Sequence, residues 1–376
     1  MTELIIAEKP SAAEKLAAAL TDDKVKKKNH GKIPSYEITH KGKKIIIACA
    51  AGHLYTVAEK KKKGWTYPVF DVEWKPSFEV SKGSKYLKPY VETITALAKD
   101  ADVFTVATDY DIEGEVIGFN VIKFACKQKD ARRMKFSTTT KDDLKEAYEN
   151  VQPHMDNLQY EAGITRHELD FYYGINLSRA LSLAIKAATG GFKILSSGRV
   201  QGPALKLLAD KELEIKNFKS DPFWQIELET KELNAWHKED KFWDKKKADK
   251  AYSNANNKKP AVTTVEKSQF NQMPPHPFDL TALQIESYKQ FGIPPKKTQE
   301  ITQGLYINSY ISYPRTSSDQ LPESIKYRKL IEKISKIDKY TALCNDLLAK
   351  STLKPNNGDK KDPAHPAIYP TGEIPS

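Results

Sequence analysis

Three short runs in this chain are apolar at nearly every position. They are Leu4-Ile5-Ile6-Ala7, Lys44-Ile45-Ile46-Ile47-Ala48-Cys49 and Val103-Phe104-Thr105-Val106-Ala107-Thr108. A strand with one wet face alternates apolar and polar residues, whereas a strand without alternation is buried on both faces. After the first run, Ser11-Ala12-Ala13-Glu14 has capping-box form, and Leu16, Ala17, Ala19 and Leu20 follow at helical spacing. Buried strands alternating with helices predict an α/β domain built on a mostly parallel sheet covered on both sides, over residues 1–152.

The rest of the chain changes character. Residues 153–220 read as helical, with Gly190-Gly191 as punctuation and an apolar stripe of Leu205, Leu207, Leu208, Leu213 and Ile215. Residues 221–275 read as β-rich: Trp224, Ile226 and Leu228 fall at period two, and Ala261-Val262-Thr263-Thr264-Val265 is a second strand candidate. The Pro-rich Met273-Pro274-Pro275-His276-Pro277 reads as a linker into a further helical domain, 276–376. A length of 376 residues accommodates such a multidomain plan.

Hydrophobic residues make up 39% and charged residues 29%, as in soluble globular proteins. No run approaches the ~18 apolar residues of a membrane span, and the N-terminus lacks a basic region of the secretory kind. Cys49, Cys126 and Cys344 lie far apart, which excludes a four-cysteine zinc ribbon in this chain and gives no disulfide framework. A reducing, cytoplasmic setting follows. The 60 Lys and Arg against 49 Asp and Glu, a net +11, favour a polyanionic partner without saying which.

Two clusters carry candidate chemistry. Glu8 follows the first apolar run, and Asp109, Asp111 and Glu113 follow the third, in Asp109-Tyr110-Asp111-Ile112-Glu113-Gly114-Glu115. Sites in open parallel sheets form beyond the carboxyl ends of strands. Four acids from two such ends would repel one another unless a cation joins them, and hard oxygen donors at this density suit Mg²⁺. The plainer alternative is a helix N-terminus that favours acids electrostatically. Lys9, beside Glu8, could hold a phosphate or simply pair with an acid. In Ile311-Ser312-Tyr313-Pro314-Arg315-Thr316, an extended backbone would put Tyr313 and Arg315 on one face. A phenol ionises near pH 10 and is a poor nucleophile at neutral pH, but a neighbouring guanidinium stabilises phenolate and phosphorane alike. With 18 tyrosines in the chain, a packing role is the competing account of any one.

Taken together, these residues resemble the type IA DNA topoisomerases, nearest in style to topoisomerase III and to the topoisomerase portion of reverse gyrase, with an archaeal flavour. Ile6-Ala7-Glu8-Lys9-Pro10-Ser11 is similar to the first motif of the family's Rossmann-like Toprim domain, and Ala51-Gly52-His53-Leu54 to the GHL segment after it. Asp109 to Glu115 resembles the DxDxEGE signature. Arg166-His167-Glu168-Leu169-Asp170 and Gly174 to Leu181 resemble the helical domain, and Ser197-Gly198-Arg199-Val200-Gln201-Gly202-Pro203 resembles SxGRVQTP, with Gly202 where Thr is common. Ile311 to Thr316 resembles the active-site ITYPRT, with Ser318 before Asp319 altering the spacing that follows. His365-Pro366-Ala367-Ile368-Tyr369-Pro370-Thr371 resembles HPAIxPT.

The resemblance implies a fold and a reaction: a Toprim domain, a helical domain, a β-rich hinge and a catalytic-tyrosine domain arranged as an incomplete toroid. Tyr313 would attack one DNA strand and form a 5′-phosphotyrosyl link, and religation would reverse it. Glu8 would serve as general acid, with Lys9 and Arg315 on the scissile phosphate. Asp109, Asp111 and Glu113, with Glu8, would hold Mg²⁺. Arg166, Arg179, Arg199, Gln201, His365 and His53 would contact single-stranded or underwound DNA. Bond energy is conserved, so no nucleotide is required, and neither a Walker loop nor GxGxxG occurs. The family's chain continues past the HPAI segment. The resemblance therefore implies a shortened chain or one half of a split enzyme completed by a second polypeptide, with a helicase as a further partner, acting on the chromosome. The rival readings are a primase or nuclease of the Toprim type, or a noncatalytic single-stranded DNA-binding subunit.

Overall fold

Period-two packing explains why the apolar runs lie at the centre of a sheet. In the computed structural model, which describes residues 1–256 and 258–374, Leu4 and Ile6 face one core while Ile5 and Ala7 face another. The first core also takes Ile46, Phe104 and Val106, and the second takes Ile45, Ile47 and Ala107. Each leucine, isoleucine, valine or phenylalanine among them contributes about 1.5–3 kcal/mol on removal from water. A strand with no polar face is thereby stable only between two layers.

The chain begins β1 (Thr2–Ala7), α1 (Pro10–Leu20), β2 (Lys26–His30), β3 (Ile33–His40), β4 (Lys43–Cys49), β5 (Tyr55–Glu59) and β6 (Val72–Pro76). It continues through α2 (Ser77–Val80), α3 (Lys88–Leu97), β7 (Val103–Ala107), α4 (Ile112–Asn120), β8 (Arg132–Arg133), α5 (Lys141–Glu149) and α6 (Asn157–Thr189). The main sheet has the order β2-β3-β4-β1-β7-β8. Its β4–β1, β1–β7 and β7–β8 pairs are parallel, as predicted. The β2–β3 and β3–β4 pairs are antiparallel, so the sheet is mixed. Residues Lys26, Lys27 and Lys28 occupy its β2 edge, where exposed lysines discourage pairing with another chain. The register sets Ala7 opposite both Cys49 and Ala107. Glu8 and Thr108 therefore leave the sheet side by side.

Two local expectations need correction. The capping box at Ser11 is not made: Lys9 is the N-cap of α1 without a side-chain bond, and Pro10 starts the helix. Proline's fixed φ suits the first helical position, where its missing N–H costs nothing. Residues 261–265 form no strand, and Val262 and Val265 are exposed. Alternating apolar residues make a strand only where a partner supplies hydrogen bonds.

Contacts divide the chain into two compact units, Met1–Gly198 with Met273–Ser376, and Arg199–Gln272. The second unit contains α7 (Gln201–Asn217), a hairpin of β9 (Glu227–Glu229) and β10 (Asn234–Trp236), and α8 (Lys245–Ala255). The apolar residues foreseen as a stripe, Leu205, Leu207, Leu208, Leu213 and Ile215, lie on α7, but they are spread round the helix and all exposed. The returning part of the first unit contributes α9 (Leu280–Phe291), α10 (Pro295–Ile307), α11 (Tyr327–Ile334) and α12 (Asp338–Leu348). No helix among the described residues is long and apolar enough to cross a membrane.

Candidate active site

The site starts from the paired ends of β1 and β7. Beyond them, the Asp109 N–H donates to Glu8 Oε2 at 3.4 Å, and Lys9 Nζ lies 3.1 Å from Glu8 Oε1. Asp111 is the N-cap of α4 and accepts from the Gly114 N–H at 2.7 Å. The helix-terminus reading of these acids therefore holds for Asp111. Gly114 is required by space: a Cβ there would lie 1.9 Å from the Asp109 carbonyl oxygen. Beneath the acids, Arg133 and Glu115 are fully buried and paired at 2.5 Å. Arg133 also donates to the Thr108, Asp109 and Met134 carbonyls. One guanidinium therefore fixes the backbone that carries the acid run.

The segment after α10 lies over this end of the sheet. The Tyr313 hydroxyl donates to Asp111 Oδ2 at 2.5 Å, and the Tyr306 hydroxyl donates to Asp109 Oδ1 at 2.9 Å. The Tyr313 N–H donates to the Ser137 carbonyl, and its ring packs 4.5 Å from that of His365 and 5.1 Å from that of Tyr306. Tyr313 is 1% exposed. Arg315 stands in solvent two residues on. Burial, then the Asp111 and Asp109 charges, push the Tyr313 phenol far above its ordinary value, while Arg315 pulls the other way. Burial and then Glu8 raise Asp109 to about 7, with Lys9 opposing.

His365 is buried between the Tyr110 carbonyl, 3.0 Å from Nε2, and Ser137 Oγ, 2.9 Å from Nδ1. Burial lowers its pKa to about 4, so it is a neutral group at neutral pH. Arg179 is turned inward. It pairs with Glu59 and donates to the Thr66 carbonyl at 2.7 Å, the intramolecular ion pair that competes with any DNA contact for a buried arginine. Arg166 is exposed and lies 3.4 Å from Glu113. His53 also reaches Glu113, at 2.9 Å. Glu113 is thus engaged by basic side chains, which hold its carboxyl well below the usual range, the His167 hydrogen bond contributing most. Arg199 and Gln201 belong to the second unit, at the entry to α7.

Several residues here carried no assignment from sequence. Tyr306, Arg133 and Ser137 have no motif of their own, and His167 sat inside the Arg166–Asp170 motif without a role. Lys15 from α1 donates to Ser309 Oγ at 2.5 Å, and Thr139 shares the Ser309 hydroxyl at 2.8 Å. These bonds pin the Tyr313 segment onto the sheet domain.

The donor chemistry fits a hard divalent ion: Asp109 and Asp111 present carboxylate oxygens, and burial first, then the Glu8 charge, disfavours the Asp109 carboxylate, a cost that a cation would offset.

Comparison with known proteins gives consistent matches. Residues 154–376 match a family model described as DNA topoisomerase, and residues 3–139 match one described as Toprim domain. A Toprim domain implies a divalent metal. A DNA topoisomerase 1 from Pyrococcus horikoshii is 46% identical over 99% of this chain and 55% of its own length. One from Methanocaldococcus jannaschii is 48% identical over 98% of this chain and 48% of its own length. A DNA topoisomerase 3 from Bacillus cereus is 31% identical over 98% of this chain and 50% of its own. The full-length topoisomerase I structure from Thermotoga maritima superposes with a TM-score of 0.65 at 24% identity. It covers 98% of this chain and 55% of that one, a likeness of fold. The chain spans about half the length of the curated relatives it matches.

Proposed function

The chain belongs to the type IA DNA topoisomerase family, and from that premise we propose that it cuts and reseals one strand of single-stranded or underwound DNA through Tyr313. The observation that carries this reading is the Tyr313 hydroxyl held 2.5 Å from Asp111 Oδ2 above the paired strand ends. Tyr313 Oη attacks phosphorus and its proton passes to Asp111. The bond from phosphorus to the 3′-oxygen breaks, and Glu8 protonates the departing oxygen, leaving a 5′-phosphotyrosyl link and a 3′-hydroxyl. Resealing runs the same steps in reverse, so no nucleotide is consumed. Lys9 and Arg315 face the phosphate charge, Arg166 offers an exposed guanidinium, and His365 reaches the strand by exchanging one of its bonds to Tyr110 and Ser137. Asp109, Asp111 and Glu113, beside Glu8, would hold Mg²⁺. Once bound, the ion supplies charge that positions the DNA phosphates for resealing.

Arg199 and Gln201 serve as further strand contacts, and Arg179 acts through the 59–66 loop that it fixes. Strand passage through the gap relaxes negative supercoils or unlinks DNA on the chromosome, with a second polypeptide completing the enzyme and a helicase as a further partner. The test is denaturing electrophoresis of a labelled single-stranded oligonucleotide after incubation with Mg²⁺, with and without the C-terminal portion of a relative. A covalent adduct absent from Tyr313→Phe is expected. No adduct from the folded protein under either condition would overturn the reading.

A further inference from the structure

Beside the acid run, three side chains from three separate elements converge. His53 comes from the loop after β4, Glu113 from the first turn of α4, and His167 from α6. His53 Nε2 and His167 Nε2 each lie 2.9 Å from the same oxygen, Glu113 Oε2. The three donor atoms all fall within 4.8 Å of one another, a three-donor grouping found nowhere among the four acids as they stand.

The surroundings fix this arrangement. The Ala50 N–H donates to the Ala7 carbonyl, and the Gly52 N–H donates to the Glu8 carbonyl. The His53 carbonyl accepts from Ser77 Oγ at 3.1 Å. The two imidazoles lie 5.0 Å apart, and the His167 ring packs on Trp74. His53 Nδ1 is buried with no hydrogen-bond partner among the described residues. Each of the three residues keeps about a quarter to a third of its side-chain surface open, so an ion has a path in.

We propose that His53 Nε2, His167 Nε2 and one Glu113 oxygen form a binding site for a borderline divalent transition metal of the Zn²⁺ class, separate in chemistry from the hard-ion site expected of Asp109 and Asp111. Two imidazoles and one carboxylate leave a fourth position for water or a phosphate oxygen, as in open zinc sites. Tetrahedral ligands at about 2.0–2.1 Å from a metal stand roughly 3.3 Å apart, so each 2.9 Å His–Glu distance opens by about 0.4 Å, while the two ring nitrogens already lie within 4.8 Å of one another. Nitrogen donors favour Zn²⁺, Co²⁺ or Ni²⁺ over Mg²⁺. Arg166 lies 3.4 Å from the other Glu113 oxygen and is exposed, so it can stay as that oxygen's partner or withdraw. An ion here takes Glu113 out of the hard-acid set. The inference goes beyond the proposed function and revises one part of it: with an ion here, Asp109, Asp111 and Glu8 remain as the hard-ion donors, and the cleavage chemistry assigned to Tyr313 is unaffected.

Chelator-treated chain titrated with Co²⁺ tests this, read by visible ligand-field absorption. One equivalent with an intense tetrahedral-type spectrum is expected, displaced by Zn²⁺ and retained in excess Mg²⁺. His53→Ala and His167→Ala should each weaken binding at least about tenfold, the lower bound for disturbing even a metal's outer partners. Asp109→Asn should retain it, as should His154→Ala at an exposed histidine paired with Asp130. Each variant is checked for native circular dichroism, with His167→Gln replacing an alanine variant that does not fold. Absence of the spectrum, its persistence in both histidine variants, its loss in Asp109→Asn or its displacement by Mg²⁺ would each overturn the proposal.

Discussion

The Tyr313 hydroxyl and the Asp111 carboxylate share a hydrogen bond of 2.5 Å, although they lie 202 residues apart in the chain. The bond raises the phenol's pKa while giving its proton somewhere to go. The pair therefore holds the phenol in its protonated form, with Asp111 as the acceptor nearest its proton.

Replacing Asp111 by asparagine separates these two effects. The amide removes one charge that disfavours phenolate, while its oxygen can still accept the Tyr313 hydrogen bond. Adduct formation nonetheless slows by about 100-fold or more, the usual contribution of a positioned base. An unchanged cleavage rate would show that another group takes the proton.

Asp109 gives a stability prediction with a definite sign. Its folded pKa, about 7, is raised above its ordinary value of 3.8. The protonated form therefore favours folding below pH 4, and that advantage is lost as pH rises to about 7. Asp109→Asn should be more stable than wild type at pH 8 by on the order of a few kcal/mol, with the difference vanishing near pH 4. Added Mg²⁺ should narrow the gap at pH 8. Thermal unfolding at several pH values measures it, and a gap independent of pH would contradict the assignment.

The Arg133–Glu115 pair predicts a large loss. Glu115→Ala leaves a buried guanidinium with carbonyl partners but no counter-charge, a change that costs about 3–5 kcal/mol. Because Arg133 also holds the Asp109 carbonyl at 2.8 Å, cleavage should fall along with stability. Denaturant unfolding reads the first and adduct yield the second.

Gly114→Ala tests the close approach of α4 to the turn that follows β7. A methyl group 1.9 Å from the Asp109 carbonyl oxygen cannot be accommodated without moving backbone. A loss of roughly 2 kcal/mol or more is expected, with displacement of the acids and at least a tenfold drop in adduct yield. Wild-type stability and adduct yield would show that this contact has slack.

Much of this was legible in the residues. The absence of alternation in Leu4–Ala7 and Val103–Ala107 located the parallel centre of the sheet, and Asp109-x-Asp111-x-Glu113 after a buried strand located the acids. The antiparallel β2–β3 arm was missed because Lys26 to Lys28 carry charge rather than alternation. Tyr306 was missed because its reach to Asp109 arises from tertiary packing, 197 residues away in sequence. Arg179 shows the limit from the other side: its motif is visible in the chain, but whether its guanidinium turns to Glu59 or to solvent is decided by the fold.

The 33-residue helix α6 has a consequence for which changes in length the chain can accept. Its residues touch other elements at fixed stations. At Gly163 a Cβ would lie 2.3 Å from Val116, and His167 reaches Glu113. Asn176 bonds both backbone groups of Val69, and Arg179 meets Glu59. From Gly163 to Arg179 is about 24 Å of rigid rise, with roughly 100° of rotation per residue. Inserting one residue at 170 would swing every later station off its partner. Even seven residues, close to two full turns, would slide them about 10 Å along the axis. Surface loops can lengthen or shorten over evolutionary time, whereas α6 works as a ruler: it can vary in spelling but not in letter count.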